Sequence, residues 1–133
     1  MPKARRGSRA ARSRPTSFER LVERALDTIP QPFAAALDEV AIVIDDEPSD
    51  EQRHDNRLGP HDTLYGLYEG VPRTEWAADW VASPNRITIF QLPLTEDFPD
   101  PADLAEEVRM TVIHELAHHL GIDDERLGEL GVD

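Results

Sequence analysis

The stretch His114-Glu115-Leu116-Ala117-His118-His119-Leu120-Gly121-Ile122-Asp123-Asp124 gathers three imidazoles and three carboxylates in a short length of chain. It contains the pattern H-E-x-x-H. At about 100° per residue, His114 and His118 lie roughly 40° apart on one helical face and one turn from each other, a spacing that brings two imidazole nitrogens onto one ion. Glu115 projects about a quarter turn away, where a carboxylate can take a proton from a metal-activated water. A tetrahedral catalytic zinc takes three protein ligands and a water, so the histidine pair needs a third partner. Gly121 permits a sharp reversal at the helix end, after which Asp124 can face the ion; Asp123 follows the same glycine and competes for the role. The bare H-E-x-x-H arises by chance in about 2% of chains of this composition, and the extended H-E-x-x-H-x-x-G-x-x-D in about 0.01%. The spacing therefore predicts one zinc per chain on His114, His118 and an aspartate after Gly121, favouring Asp124 over Asp123, with Glu115 beside it as a candidate base. His119 is out of phase with the pair and near the core side, so it is expected to be structural, hydrogen-bonded or at the rim. His54 and His61 lie in a polar stretch without chelating spacing and are expected to be solvated.

The element that must carry this pattern is the longest helix of the chain. Pro101, Ala102 and Asp103 open it, and it runs to about Leu120, where Gly121 stops it. Leu104, Ala105, Val108, Val112, Leu116 and Leu120 gather opposite the chelating pair, so one face can be buried while the histidine face borders a cleft. Glu106 and Glu107 read as a solvated helix face. Upstream, Ser17 is expected to cap a helix from Phe18 to about Ile29, ended by Pro30, and Pro32 to open a short helix over Phe33 to Leu37. Val40 to Ile44 is a compact β-branched run, predicted to be a buried strand. The stretch from Asp45 to about Asp62 is polar, with little periodicity, and reads as a long mobile loop. Leu64 to Glu69 and Arg86 to Leu92 alternate like strands. Either could present an edge to an extended substrate. Trp76 and Trp80 lie on the connection between them, and with Tyr65 and Tyr68 they are expected in core and rim packing.

Composition narrows the chemistry further. The 133 residues fit one domain. There is no cysteine, which excludes disulfides, thiolate metal sites and thiol nucleophiles, so any metal must bind through His, Asp or Glu. No apolar run approaches the roughly 18 to 20 residues of a membrane span, and no membrane partner is expected. The chain holds 14 basic against 27 acidic residues, distributed unevenly. Lys3, Arg5, Arg6, Arg9, Arg12 and Arg14 form an acid-free start, leaving 8 basic against 27 acidic residues, net −19, for the body. Residues 1–15 have almost nothing to bury and are expected to be a disordered basic arm, with the folded domain spanning 16–133. The body should repel nucleic acid, which only the arm could hold, weakly. No apolar stretch follows the arginines as a secretory signal requires, so the cytoplasm is the expected location. The oligomeric state is left open, with a monomer the expectation.

The residues resemble a known family, the small bacterial zincin-like zinc metallopeptidases, minimal relatives of metzincins and snapalysin-type peptidases. Beyond the metal string, Leu67-Tyr68-Glu69-Gly70-Val71-Pro72, Pro84-Asn85-Arg86-Ile87-Thr88-Ile89-Phe90, and Val112-Ile113-His114 through Leu127 resemble its successive blocks, in order. The likeness spans Phe18 to Gly131. It implies an α+β fold with a small twisted mixed sheet, helices packed on one side and the His114 helix beneath a cleft. It also implies that His114, His118 and Asp124 hold zinc and that Glu115 acts as base in hydrolysing a peptide or protein substrate. Metzincins have His at the place of Asp124 and a methionine turn, whereas no Met follows Met110 here. A carboxylate ligand leaves the metal unit at net +1, a poorer Lewis acid than one held by three histidines, so slow or narrow activity is expected. Two rival readings fit the same residues. One is a metal-stabilised module of the same fold that binds a partner without turnover, its acidic body suited to a basic partner. The other is a non-haem iron oxygenase using two His and one carboxylate, against which Glu115 argues because that chemistry needs no adjacent base.

Overall fold

The computed structural model describes residues 14–70 and 85–131. Helix α1 (Ser17–Leu26) starts one residue earlier in its capping than the sequence suggested, because Glu19 is three residues from Thr16 and not from Ser17. Thr16 Oγ1 accepts from the Glu19 N–H at 3.1 Å, while Glu19 Oε1 accepts from the Thr16 N–H at 2.7 Å. Together they satisfy two end donors reciprocally. The helix buries Phe18, Leu21, Val22 and Ala25. A short helix α2 (Phe33–Ala36) and a 3-10 turn over Leu37–Glu39 follow, carrying Glu39 to the start of strand β1 (Ala41–Asp45).

Strands β1, β2 (Gly66–Glu69) and β3 (Arg86–Phe90) form one mixed sheet in the order β1-β3-β2. β3 is parallel to β1 and antiparallel to β2, with Ile89 opposite Ile44 on one side and Gly66 on the other. This order corrects two expectations. Among the described residues β1 is an edge strand and only partly buried, because its apolar run has a sheet neighbour on one side alone. Between two neighbours, β3 has no edge to offer an added strand, which among the described residues leaves the outer edge of β2 on the side of the predicted site.

The polar stretch after β1 is not a loop throughout. It contains helix α3 (Asp50–Asp55), opened by a capping box in which Ser49 Oγ and Gln52 Oε1 each accept from the other residue's N–H. The alternation of Arg86 to Leu92 likewise stops at Phe90. Helix α4 (Gln91–Asp97) starts there, and Pro93 fits because the first-turn N–H groups have no intrahelical acceptor to lose.

Helix α5 (Pro101–Leu120) is the organising element, about 30 Å long at 1.5 Å per residue. Asp100 caps it by accepting from the Ala102 and Asp103 N–H groups at 3.1 Å. Gly121 ends it with φ of 75°, and the Ile122 N–H returns 2.8 Å to the Ala117 carbonyl. Helix α6 (Asp124–Leu130) starts directly afterwards and buries Leu127. One core cluster joins Phe18, Val22 and Phe33 to Ile87 and Ile89 of the sheet, and to Val108, Val112, Ile113 and Leu116 of α5. The fold is thus α+β, with a small mixed sheet and helices α1, α2 and α4 packed on α5. Among the described residues no helix is long and apolar enough to cross a membrane. Most of the expected arm, and Trp76 and Trp80, lie outside the described residues.

Candidate active site

Glu107, Met110, Thr111, His114 and His118 recur every three or four residues along α5 and so form one stripe. A cleft of about 460 Å³ opens over it, lined by that stripe down to His114, by Glu115, and by Tyr65 and Gly66 at the start of β2. Glu107, expected on a solvated face, is half-buried here, because it shares the stripe of His114 one turn beyond Met110. A second depression of about 400 Å³ is lined by His118, Gly121, Ile122, Asp123 and Asp124.

His114 Nδ1 lies 2.9 Å from the carbonyl oxygen of Met110, one turn earlier. A carbonyl can only accept, so Nδ1 carries a proton, and the neutral ring has its lone pair on Nε2. Glu115 has a mostly buried side chain, 15% exposed, and its Oε1 accepts from the Tyr68 N–H at 2.7 Å. His118 is more open, with Nδ1 3.4 Å from the same Glu115 oxygen. The Glu115 carboxylate beside it raises the His118 pKa above the ordinary 6.5; partial burial opposes this, and the negative charges of Glu115 and Asp124 add to it.

The two aspartates differ in commitment. Asp123 caps α6, its Oδ1 accepting from the Arg126 N–H at 2.9 Å. Asp124 is exposed at the first position of α6, and no hydrogen bond or ion pair engages it among the described residues. The structure therefore brings His114 and Glu115 into one cleft and His118 and Asp124 into the adjoining depression. Among the described residues no three His, Asp or Glu side chains converge as a metal site. His54 and His61 are exposed, as expected.

Spacing alone missed the strand residues. β2 runs along α5 so closely that a Cβ on Gly66 would meet Thr111 Cγ2 at 2.6 Å. The Phe90 N–H bonds the Tyr65 carbonyl at 2.9 Å, and alternation along an antiparallel pair then turns the backbone groups of Gly66 and Tyr68 to the outer edge. The signal in the sequence was Gly66 itself, the one residue without a side chain in an otherwise large-residue strand. Tyr65 donates its hydroxyl to the Asp97 carboxylate, a bond that, with burial, pushes its pKa up to about 12, so it stays protonated at neutral pH.

A family model described as zincin-like metallopeptidase matches residues 37–132. The chain belongs to that family. No curated protein sequence matches it. The zincin-like region starts at Leu37, takes in the turn that carries Glu39, and covers the sheet, α5 and α6. His119 of this zincin-like domain is fully buried, with Nε2 2.6 Å from Glu39 Oε1 and Nδ1 3.1 Å from the Tyr68 hydroxyl. The structural role expected of it holds.

Proposed function

We propose that the protein is a zinc-dependent peptidase in which His114, His118 and Asp124 hold the metal and Glu115 is the general base. The observation that carries this reading is the pairing of a fixed His114 tautomer, Nε2 free, with a Glu115 carboxylate anchored beside it in the same cleft. The donor chemistry fits zinc, since neutral imidazole nitrogen and carboxylate oxygen are its ordinary ligands in a cysteine-free chain. Asp124 is favoured over Asp123 because the Asp123 carboxylate already caps a helix. His118 is 56% exposed, so its ring can leave Glu115 by side-chain rotation without disturbing the core.

Zinc, when bound, would supply Lewis acidity toward a water and the scissile carbonyl. Glu115 takes the proton of the attacking water as its oxygen adds to the carbonyl carbon. It then delivers that proton to the departing amine nitrogen as the C–N bond breaks. The outer edge of β2 offers the Gly66 backbone groups to an extended substrate, which supports strand addition beside Glu115. Tyr65, whose one hydroxyl proton goes to Asp97, takes no part in the proton transfers.

A second reading, a metal-stabilised binding module without turnover, draws on one observation: His118 faces Glu115, and the three ligands stand in two adjoining depressions. One experiment separates the two. The peptidase reading expects about one zinc per purified chain and chelator-sensitive cleavage of an unfolded protein such as reduced casein. Zinc at that stoichiometry without cleavage favours the module, and no zinc at all overturns both.

A further inference from the structure

A histidine at zero exposure in the last turn of α5, on its core-facing side, is an expensive choice, because a buried imidazole needs partners for both nitrogens where Leu or Phe would need none. His119 has both. Its Nε2 meets Glu39 from the 3-10 turn, 80 residues away in sequence, and its Nδ1 meets the hydroxyl of Tyr68, 51 residues away. The Tyr68 hydroxyl also reaches Asn85 Oδ1 at 3.0 Å, tying the far end of β2 to the start of β3. A tyrosine has one hydroxyl proton. If it goes to Asn85, the ring must present Nδ1–H, and if it goes to the ring, the Asn85 amide must turn to donate. Either arrangement locks the side chains into one unit.

The consequence lies at the other end of Tyr68. Its backbone N–H, turned to the outer edge of β2, is the group that holds Glu115 Oε1 at 2.7 Å. Glu115 and His119 are four residues apart, so Tyr68 grips α5 at two points one turn apart, by its hydroxyl and by its amide. Gly66 sits over Thr111, one turn earlier again. The strand therefore lies along α5 at Thr111, Glu115 and His119, and its last point of attachment is the buried polar group.

We propose that His119, backed by Glu39 and acting through Tyr68, is a positioning residue that sets β2 against α5 so that the Tyr68 amide fixes the Glu115 carboxylate. It touches neither substrate nor metal. The geometric claim stands on the metal-free protein, whereas the effect on turnover rests on the peptidase reading.

The test reads the Tyr68 amide directly, by residue-resolved hydrogen exchange on the full-length, metal-free protein. Gly66 provides the internal reference, since its amide faces the same edge. Wild-type protein should show Tyr68 exchanging more slowly than Gly66, and Glu115→Ala should abolish that difference. Tyr68→Phe, which keeps the ring, and His119→Gln, which keeps a polar group of similar reach, are the probes. Tyr68→Phe should raise exchange at residue 68 by roughly tenfold or more while the amides of β3 stay as in wild type; His119→Gln should restore part of the protection that His119→Leu loses. In zinc-loaded protein that cleaves casein, Tyr68→Phe should lower kcat with KM and zinc content unchanged. Unaltered protection of residue 68 in Tyr68→Phe overturns the proposal, and so does a loss spread equally over β2 and β3, which marks a general structural role. Should His119→Leu fail to fold, Glu39→Gln at the partly exposed end supplies the same comparison. Absence of zinc or cleavage would count against the peptidase reading alone, because the exchange experiment needs neither.

Discussion

His114 Nδ1 lies 2.9 Å from the Met110 carbonyl, so the ring is oriented by its own helix before any ligand arrives. Such outer hydrogen bonds commonly fix the tautomer of metal-binding histidines. Asparagine can reproduce the Nδ1–H donor but has nothing in the place of Nε2. His114→Asn should therefore leave the melting temperature nearly unchanged while weakening zinc binding by more than the roughly 10- to 100-fold that loss of an outer partner costs. A competition titration against a chromophoric chelator measures it, and wild-type affinity in the variant would remove His114 from the site.

Asp123 and Asp124 should separate in opposite directions. Asp123→Ala removes the α6 cap, at a cost of about 0.5–2 kcal/mol of stability, and should retain zinc. Asp124→Ala should keep the melting temperature and lose zinc. Paired denaturation curves and zinc titrations check both, and the reverse pattern would make Asp123 the ligand.

Gly66 tests the contact that brings β2 to α5. Gly66→Ala places a methyl 2.6 Å from Thr111 Cγ2, and overpacking of this kind costs about 1–3 kcal/mol. Thr111→Ser deletes that carbon and should recover most of the loss in the double variant. If the two effects simply add in urea denaturation, the strand does not rest on Thr111.

The His118 pKa makes a prediction about pH. It is raised in the folded protein, so the stabilisation that His118 draws from Glu115 is complete below pH 6.5 and is lost as pH rises through the raised value. Zinc competes with that proton. The zinc affinity should thus fall on acidification from above pH 6.5, approaching about tenfold per pH unit for one displaced proton. Glu115→Gln removes the main cause and should move the onset to lower pH. An NMR titration of the His118 ring checks the same point, and an unmoved His118 pKa in Glu115→Gln would contradict it.

The long helix was readable because its start, its stop and its apolar stripe agree, with Pro101, Gly121 and the Leu104–Leu116 face pointing to one answer. Helices α3 and α4 were not. α3 has no buried residue to create a periodic signal, although Ser49-x-x-Gln52 spells its capping box. α4 hides behind the strand alternation of Arg86–Phe90 and a proline that matters only beyond the first turn. The core-side place of His119 followed from its phase on α5, but its full burial and its partners did not, because Glu39 and Tyr68 come from a distant turn and strand and no local spacing encodes that. The same limit applied to Glu115, whose anchoring N–H comes from an edge strand 47 residues earlier.

The central claim is that Glu115 moves a proton in peptide hydrolysis without holding the metal, and Glu115→Gln tests it most directly. Glutamine keeps the size of the side chain and an oxygen for the Tyr68 N–H, yet it cannot act as a base near neutral pH. Zinc stoichiometry and cleavage of reduced casein should be measured on the same preparations, with and without chelator. Zinc should stay at about one per chain while cleavage falls by at least about 100-fold, the usual contribution of a general base. Cleavage at the wild-type rate by zinc-loaded Glu115→Gln would contradict it.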